Sequence, residues 1–217
     1  PKIPHLRAVE YARRFDVPLH VRSSFSNKEG TWIVNESTRS RWDGDNEAPI
    51  ISGISHDTSQ AKITVTRVPD EPGAAARIFQ VVADAGSSID MIVQNVPVNQ
   101  PGQATISFTL PVPEIKRAVF ALERAREELG FAEIIKDDGV GILSLIGTGM
   151  RSHPGVTAKF FAALAEAGIN IDMISTSEIR ISTVLAAADV PEAVRVVHKA
   201  FDLDAEDEAI VYGGTGR

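Results

Sequence analysis

Several residue types and patterns are missing from this 217-residue sequence, and each absence excludes a class of protein. There is no cysteine, which excludes disulfide bonds, thiolate metal sites and thiol catalysis and fits a cytoplasmic protein. No apolar run approaches the ~20 residues that a membrane-spanning helix needs, so the sequence does not predict a membrane protein. The net charge is −7 and there is no basic cluster, which argues against nucleic acid as a partner.

Patterns for catalysis, metal binding and cofactor binding are also scarce. The five histidines are not at metal-ligand spacing from one another. The carboxylates Asp137 and Asp138, and the acidic run 202–208, are typical of solvated loops. Two glycine-rich stretches, 147–155 and 212–217, resemble phosphate loops, but the first lacks a following Lys-Ser/Thr and no helix follows the second. The sequence therefore predicts no catalytic residue, no metal site and no cofactor bound by this chain.

One stretch of sequence occurs twice without a gap. The first copy, from Pro72, reads PGAAARIFQVVADAGSSIDMIVQ, and the second begins 82 residues later, at Pro154, and reads PGVTAKFFAALAEAGINIDMIST. The copies are identical at 11 of 23 positions. In each, a Pro-Gly enters a predicted helix, a glycine (Gly86 or Gly168) ends it, and a β-branched strand follows. A period of this length indicates two copies of one supersecondary unit.

The elements around each copy complete the same βαββαβ pattern, with the helices on one face of a sheet, which is an α+β architecture. Strands are predicted at 61–68, 89–96, 105–110 and 131–136 in the first unit, and at 141–146, 169–174, 179–187 and 209–212 in the second. The apolar helix face is predicted to comprise Ala75, Ile78, Phe79 and Val82 in the first copy, and Ala158, Phe161, Leu164 and Ala165 in the second. Further helices are predicted from Ile115 to Gly130 and from Pro191.

Three domains follow from this pattern. Residues 1–48 contain a predicted helix and two short strands, are too small to bury a core, and are interpreted as the tail of another domain. Residues 49–138 and 139–217 form the two repeated units. A short strand at 50–54 is a candidate to pair with 209–212 rather than with its sequence neighbours.

The Pro-Gly turns are the best candidates for a binding site. A helix N-terminus presents backbone N–H groups and the positive end of a dipole, which suit a carboxylate. In the first unit Asp70 and Glu71 precede the turn and can hold an ammonium or a hydroxyl, and the Gln94 amide can both donate and accept. A small zwitterion with a side-chain donor fits these groups. The alternative, that Asp70 merely caps the helix, stays open.

Motifs along the entire chain resemble the C-terminal regulatory part of the aspartate kinases. They are RAVEYARRFDVPLHVRSSF at 7–25, DEPG at 70–73, SSIDMIVQN at 87–95, MRSHPGV at 150–156 and INIDMISTSEIRIS at 169–182. Enzymes of this family use ATP to phosphorylate the β-carboxylate of aspartate at the head of lysine, threonine and methionine synthesis, the route that includes diaminopimelate. The resemblance implies two ferredoxin-like ACT domains that pair side by side, preceded by a short tail of the amino-acid kinase domain.

The resemblance also implies two effector pockets, each at an interface between ACT units. The first, for threonine, is expected to comprise Asp70, Pro72, Gly73, Ala74, Ala75 and Gln94 of one unit and Asn170 and Ile171 of a second unit, commonly on a partner chain. The second is a candidate for lysine and is expected to comprise Ser152, His153, Gly155, Val156 and Thr157 against Ser88, Ile89 and Asp90. The two copies of the repeat differ at several of the lining positions.

The family's catalytic domain begins with a lysine-bearing Phe-Gly-Gly-Thr/Ser phosphate loop, which this sequence does not contain. The chain by itself is therefore expected to be catalytically inactive, with ATP and Mg²⁺ acting in the holoenzyme. The implied partners are a second copy of the chain, forming a homodimer through the ACT domains, and the catalytic α subunit, in an α2β2 assembly. Two alternatives stay open: an enzyme fragment that retains phosphoryl transfer, and a dimerisation module with a purely structural role.

Overall fold

The computed structural model of the chain describes residues 5–25, 29–34, 51–147 and 155–203. Its helices are α1 (Leu6–Arg14), α2 (Ala74–Asp84), α3 (Ile115–Arg124), α4 (Arg126–Leu129), α5 (Val156–Glu166) and α6 (Val190–Ala200). Its strands are β1 (Leu19–Val21), β2 (Thr31–Ile33), β3 (Ile51–Asp57), β4 (Gln60–Pro69), β5 (Ile92–Asn95), β6 (Gln103–Pro111), β7 (Glu133–Asp137), β8 (Val140–Gly147), β9 (Met173–Thr176) and β10 (Arg180–Ala186). None of the helices in these ranges has the length and apolar character required to span a membrane.

The N-terminal segment consists of helix α1 and a two-stranded sheet. Strand β1 pairs antiparallel with β2, and the ring of His20 stacks on that of Trp32 at a centroid distance of 3.8 Å. Tyr11 and Phe15 are exposed on α1, and no described side chain of this segment is buried. The interpretation of residues 1–48 as the tail of another domain stays a prediction.

The first module is an antiparallel sheet, in the order β5-β6-β4-β7, covered on one face by α2 and α3. Side chains alternate between the faces of a strand, so Ile63 on β4 and Phe108 on β6 point toward the helices. There they pack against Ile78 and Val82 of α2 and Leu122 of α3. The element order β4-α2-β5-β6-α3-β7, with the short α4 before β7, confirms the predicted βαββαβ pattern.

The second module repeats this arrangement in a sheet of order β3-β8-β10-β9. Helices α5 and α6 cover one face, where Phe160 and Leu164 of α5 pack against Leu143, Leu145 and Leu185 of the sheet. Strand β3 (51–57) occupies the place beside β8 that β7 occupies beside β4. The predicted fold class, α+β with two ferredoxin-like units, is confirmed.

Strand β3 lies within the predicted 49–138 unit but pairs in the sheet of the second unit, not with its sequence neighbour β4. Its residue Ile54 lies opposite Leu145, so β3 belongs to the second sheet although β4 of the first sheet follows only two residues later. A two-residue turn between strands usually makes a hairpin, but here it carries the chain from one sheet to the other. The proposed partner of β3, residues 209–212, lies outside the described residues, and the three domain boundaries stay a prediction.

The two sheets contact each other through the faces that carry no helices. Met91 and Val93 of the first module meet Ile142, Met173 and Val184 of the second in one apolar cluster, which we call the intermodule cluster. On β8 and β10, Ile142 and Val184 alternate with the core residues Leu143 and Leu185, so the cluster lies on the sheet face opposite to the helices. The chain therefore buries both faces of each sheet in this region.

The tight packing of β8 against its neighbours gives a first testable prediction. A Cβ at Gly141 would lie 2.5 Å from Val190 Cγ2 and 3.3 Å from the Asp57 carbonyl oxygen, so the Gly141→Ala variant must displace β3 or α6. We expect it to lower the free energy of unfolding by about 1–3 kcal/mol, measured by urea denaturation. Gly53→Ala on the adjacent β3 is the matched control, because nothing lies within 4 Å of its added Cβ. Equal unfolding midpoints for the two variants would contradict this packing.

Candidate ligand-binding site

The turn that enters α2 leaves the helix N-terminus without a side-chain cap. Gly73, at the N-cap position, has φ of 93°, a left-handed conformation that glycine adopts without strain. The Ala74 N–H donates to the Glu71 carbonyl at 3.2 Å, and the first helical hydrogen bond runs from Arg77 N–H to the Gly73 carbonyl at 3.0 Å. Asp70 does not cap the helix, which argues against the alternative role considered for it. The first-turn N–H groups that follow Ala74 have no partner within the helix.

The two acidic residues before this turn have different surroundings. The Glu71 carboxylate pairs with Arg77 Nη2 at 2.6 Å, and both side chains are about half exposed. Asp70 is exposed, and its backbone N–H donates to the Gly102 carbonyl at 3.0 Å. Of the two acids proposed to hold an ammonium group, Asp70 is thus the better placed.

Gln94 lies at the same end of the first sheet as this turn. Strands β4 and β5 are both antiparallel to β6, so they run in the same direction and their last residues share one end of the sheet. Gln94 is the penultimate residue of β5, and β4 leads into Asp70 and Gly73. The structure therefore places the predicted residues Asp70, Pro72, Gly73, Ala74, Ala75 and Gln94 at one end of the first module. Pro72 and Gly73 are exposed there, while Ala74 is buried and Ala75 half-buried.

Asn170 and Ile171 occupy the opposite end of the second module. They lie between Gly168, which follows α5, and the start of β9. The start of α5 lies at the other end of the sheet. Ile171 packs against the core of the second module, and Asn170 is exposed. These two residues thus lie at the end of their sheet that is opposite to the Pro-Gly turn.

The second predicted pocket is described only in part. Gly155 at the start of α5 repeats the left-handed turn, with φ of 111°, and is followed by the half-buried Val156 and the exposed Thr157. Ser152 and His153 lie outside the described residues.

The other side of this predicted pocket, Ser88 to Asp90, lies in the first module after α2. Its Ser88 N–H donates to Glu114 Oε2 at 2.7 Å, its Ile89 packs against the first core, and its Asp90 N–H donates to the Thr109 carbonyl at 3.1 Å.

Three residues near these sites were missed by the sequence reasoning. Glu114 accepts from Ser88 and pairs with Arg117 at 3.0 Å, and Arg117 also donates to Gly86 and Ser87 beside it. Their opposite charges at i,i+3 were a usable signal. Lys62 pairs with Asp172, 110 residues away, and nothing in the local sequence could indicate that contact. Among the described residues, no group of three His, Asp or Glu side chains could hold a metal ion.

Two family models describing the ACT domain match the chain. One covers residues 62–130 and the other covers residues 143–201. These ranges fall within the two modules, and β3 lies outside both of them. The repeat found in the sequence therefore corresponds to two ACT domains.

Similarity to aspartokinases extends over the whole chain. Aspartokinase from Mycolicibacterium smegmatis is 52% identical over 216 residues, which are 100% of this chain and 50% of that protein. The chain thus spans about half the length of the curated relatives that it matches.

The chain covers nearly the full length of two solved structures. The aspartokinase alpha and beta subunits share 46% identity with a TM-score of 0.65, over 70% of this chain and 99% of that one. The regulatory subunit of aspartate kinase from Thermus thermophilus, in its ligand-free form, shares 39% identity with a TM-score of 0.65, over 70% of this chain and 99% of that one. More distantly, E. coli aspartokinase III in complex with lysine and aspartate shares 20% identity with a TM-score of 0.63, over 92% and 42% of the two chains, which is a likeness of fold.

The conformation of Gly73 gives a second prediction. We expect Gly73→Ala to lower the free energy of unfolding by about 1–2 kcal/mol, because an L side chain is strained at a φ of 93°. Gly73→Asn should lose less, since asparagine tolerates left-handed backbone. Thermal unfolding of the three proteins checks this order. An alanine variant as stable as the parent would contradict the left-handed turn.

Proposed function

The chain belongs to the aspartokinase family and forms its regulatory region, and from this premise we propose that its two ACT modules bind the end-product amino acids threonine and lysine as feedback inhibitors. The complete protein would transfer phosphate from ATP, with Mg²⁺, to the β-carboxylate of aspartate. That reaction opens lysine, threonine and methionine synthesis, including its diaminopimelate branch. The catalytic partner would be the α subunit, in an α2β2 assembly.

The chemistry at the Gly73 turn supports threonine as the first ligand. The N–H groups of the first helical turn suit its carboxylate, and the exposed Asp70 carboxylate suits its ammonium group. The Gln94 amide lies at the same end of the sheet and can accept from, or donate to, a side-chain hydroxyl. The Asn170 side chain of a second copy would close the pocket, with Ile171 beside it.

The edges of the sheets support this pairing of two copies. Strand β5 is an edge of the first sheet and β9 an edge of the second, and neither outer edge has a strand partner among the described residues. Ile92 on β5 and Ile174 on β9 occupy equivalent repeat positions and are 50% and 46% exposed. Exposed edges of this kind are rare in isolated chains because they promote association. We therefore assign them to a homodimer interface.

One antiparallel contact between β5 and β9 of the partner would form both pockets. It would bring the Gln94 end of β5 in one copy beside Asn170 and Ile171 of the other copy, which precede β9 there. The same contact would bring residues 88–90, which precede β5, beside the Gly155 turn of the partner copy. There Asp90 and the nearby Glu114 provide carboxylates for a second ammonium group, which suits lysine.

Inhibition would follow from the difference in ligand affinity between two arrangements of the attached catalytic domains. A ligand shifts such an equilibrium only through its differential affinity, and the coupling is typically about 1–3 kcal/mol. Because residues from two copies complete each pocket, the ligand stabilises the arrangement in which they meet.

A second candidate function is a dimerisation module with a purely structural role. The exposed Ile92 and Ile174 on the edge strands favour association whether or not a ligand is present. In that case Gln94 and Asn170 would hydrogen-bond directly to each other across the interface, and no amino acid would be required.

Titration calorimetry of the chain with L-threonine separates the two functions. We expect heat of binding in the parent and a loss of affinity of about tenfold or more in Gln94→Ala, because a buried hydrogen bond to the ligand is lost. Association, measured by sedimentation, should be unchanged in that variant. Gln80→Ala is the matched control, because Gln80 is exposed on α2 and donates to Asp84 at 2.8 Å. No heat and no change in association state with threonine would contradict a binding role.

A further inference from the structure

An ion pair joins the two modules at the segment that carries Asn170. Lys62 lies on β4 of the first module, and its Nζ is 2.6 Å from Oδ2 of Asp172, which leads into β9 of the second module. The Lys62 side chain is 18% exposed and that of Asp172 is 34% exposed. Lys62 is thus largely buried, whereas Asp172 keeps contact with solvent, so the pair is expected to contribute no more than about 1 kcal/mol, or about fivefold in an equilibrium constant.

The residues on both sides of Asn170 are fixed by packing or polar contacts within the chain. Ile169 and Ile171 pack in the core of the second module, and Met173 packs in the intermodule cluster. Asp172 is held twice, because its N–H donates to the Val184 carbonyl at 2.8 Å and its carboxylate pairs with Lys62. Asn170 itself is exposed, so its position depends on the contacts that hold its neighbours.

The positions equivalent to Lys62 and Asp172 in the opposite modules do not form an ion pair. The residues equivalent to Lys62 and Asp172 are Ser144 and Asp90, and the buried Ser144 hydroxyl bonds to Ser182 at 2.7 Å. The equivalent segment of the first module is held instead by Glu114, through the Ser88 N–H. The two segments proposed to close the two pockets thus share a backbone hydrogen bond from the equivalent aspartates, Asp90 and Asp172, but differ in the side-chain contacts that hold them.

A second carboxylate near Lys62 is already engaged. Asp137 lies directly opposite Lys62 on β7, but its Oδ1 accepts from the Gly139 N–H at 2.9 Å in the turn toward β8. That bond leaves Asp137 Oδ2 able to accept, but the ion pair that Lys62 forms is with Asp172, across the contact between the modules.

We propose that Lys62 is a positioning residue for the threonine pocket: by holding Asp172, it sets the place from which Asn170 reaches a ligand bound at the Gly73 turn of another copy. This inference rests on the proposed function. It assigns a role to a residue that does not line either pocket, and it makes the threonine pocket dependent on the packing between modules.

Titration calorimetry of the chain with L-threonine tests this role. We expect Lys62→Met, which keeps most of the aliphatic stem, to bind threonine about fivefold more weakly than the parent. Lys62→Arg keeps the charge and should bind within about twofold of the parent. Arg195→Met is the matched control, because it removes a cation that pairs with Glu192 on the exposed face of α6, and it should leave threonine affinity unchanged.

A double-mutant cycle distinguishes the ion pair from a general loss of stability. If Lys62 acts through Asp172, then Lys62→Met combined with Asp172→Asn should bind threonine no more weakly than the weaker of the two single variants. Threonine affinity of Lys62→Met equal to that of the parent overturns the inference and leaves the proposed function intact. Equal losses in Lys62→Met and Lys62→Arg also overturn it, because charge would then not matter. Absence of binding in the parent itself overturns the proposed function.

Discussion

The contact between the helix-free faces of the two sheets is the constraint on which the arrangement of the sites depends. Helices cover one face of each sheet, and the intermodule cluster around Met91, Met173 and Val184 covers the other. Neither sheet face is then open to a second copy, whereas the sheet edges are, and two of these edges, β5 and β9, carry exposed isoleucines at equivalent repeat positions. The packing of the modules inside one chain thus determines which surfaces are available to join two chains.

Much of this fold could be predicted because the same sequence pattern occurs twice in the chain. Pro-Gly turns, terminal glycines and β-branched runs predicted the elements from β4 to β7 and from β8 to α6, and Gly86 and Gly168, which were predicted to end helices, have positive φ of 72° and 70°. For the candidate site, the sequence could predict which residues of the first module lie together, while their role in binding stays a prediction. Residues that share a turn or one sheet end, such as Asp70 and Gln94, could be grouped because strand direction follows from the βαββαβ order.

What could not be predicted depends on contacts between distant parts of the chain. The alternation of side chains on β3 does not specify which sheet the strand joins, and its neighbour β8 lies about 85 residues further along the chain. The Lys62–Asp172 pair forms only because the modules pack face to face. In α5 the predicted face included Ala158 and Ala165, which are exposed; Phe160, Ala163 and Leu164 are buried, because a helix this rich in alanine and phenylalanine has no sharp apolar face.

The central claim is that the bare helix N-terminus of one module and the Asn170 segment of a module from another copy close over one amino acid. A crystal structure of the chain grown with saturating L-threonine tests this most directly. The account predicts electron density for threonine beside Gly73, its carboxylate toward the first-turn N–H groups of α2, with Asn170 of a second copy within hydrogen-bonding distance. A cleft that is filled by the protein's own side chains under those conditions would contradict it.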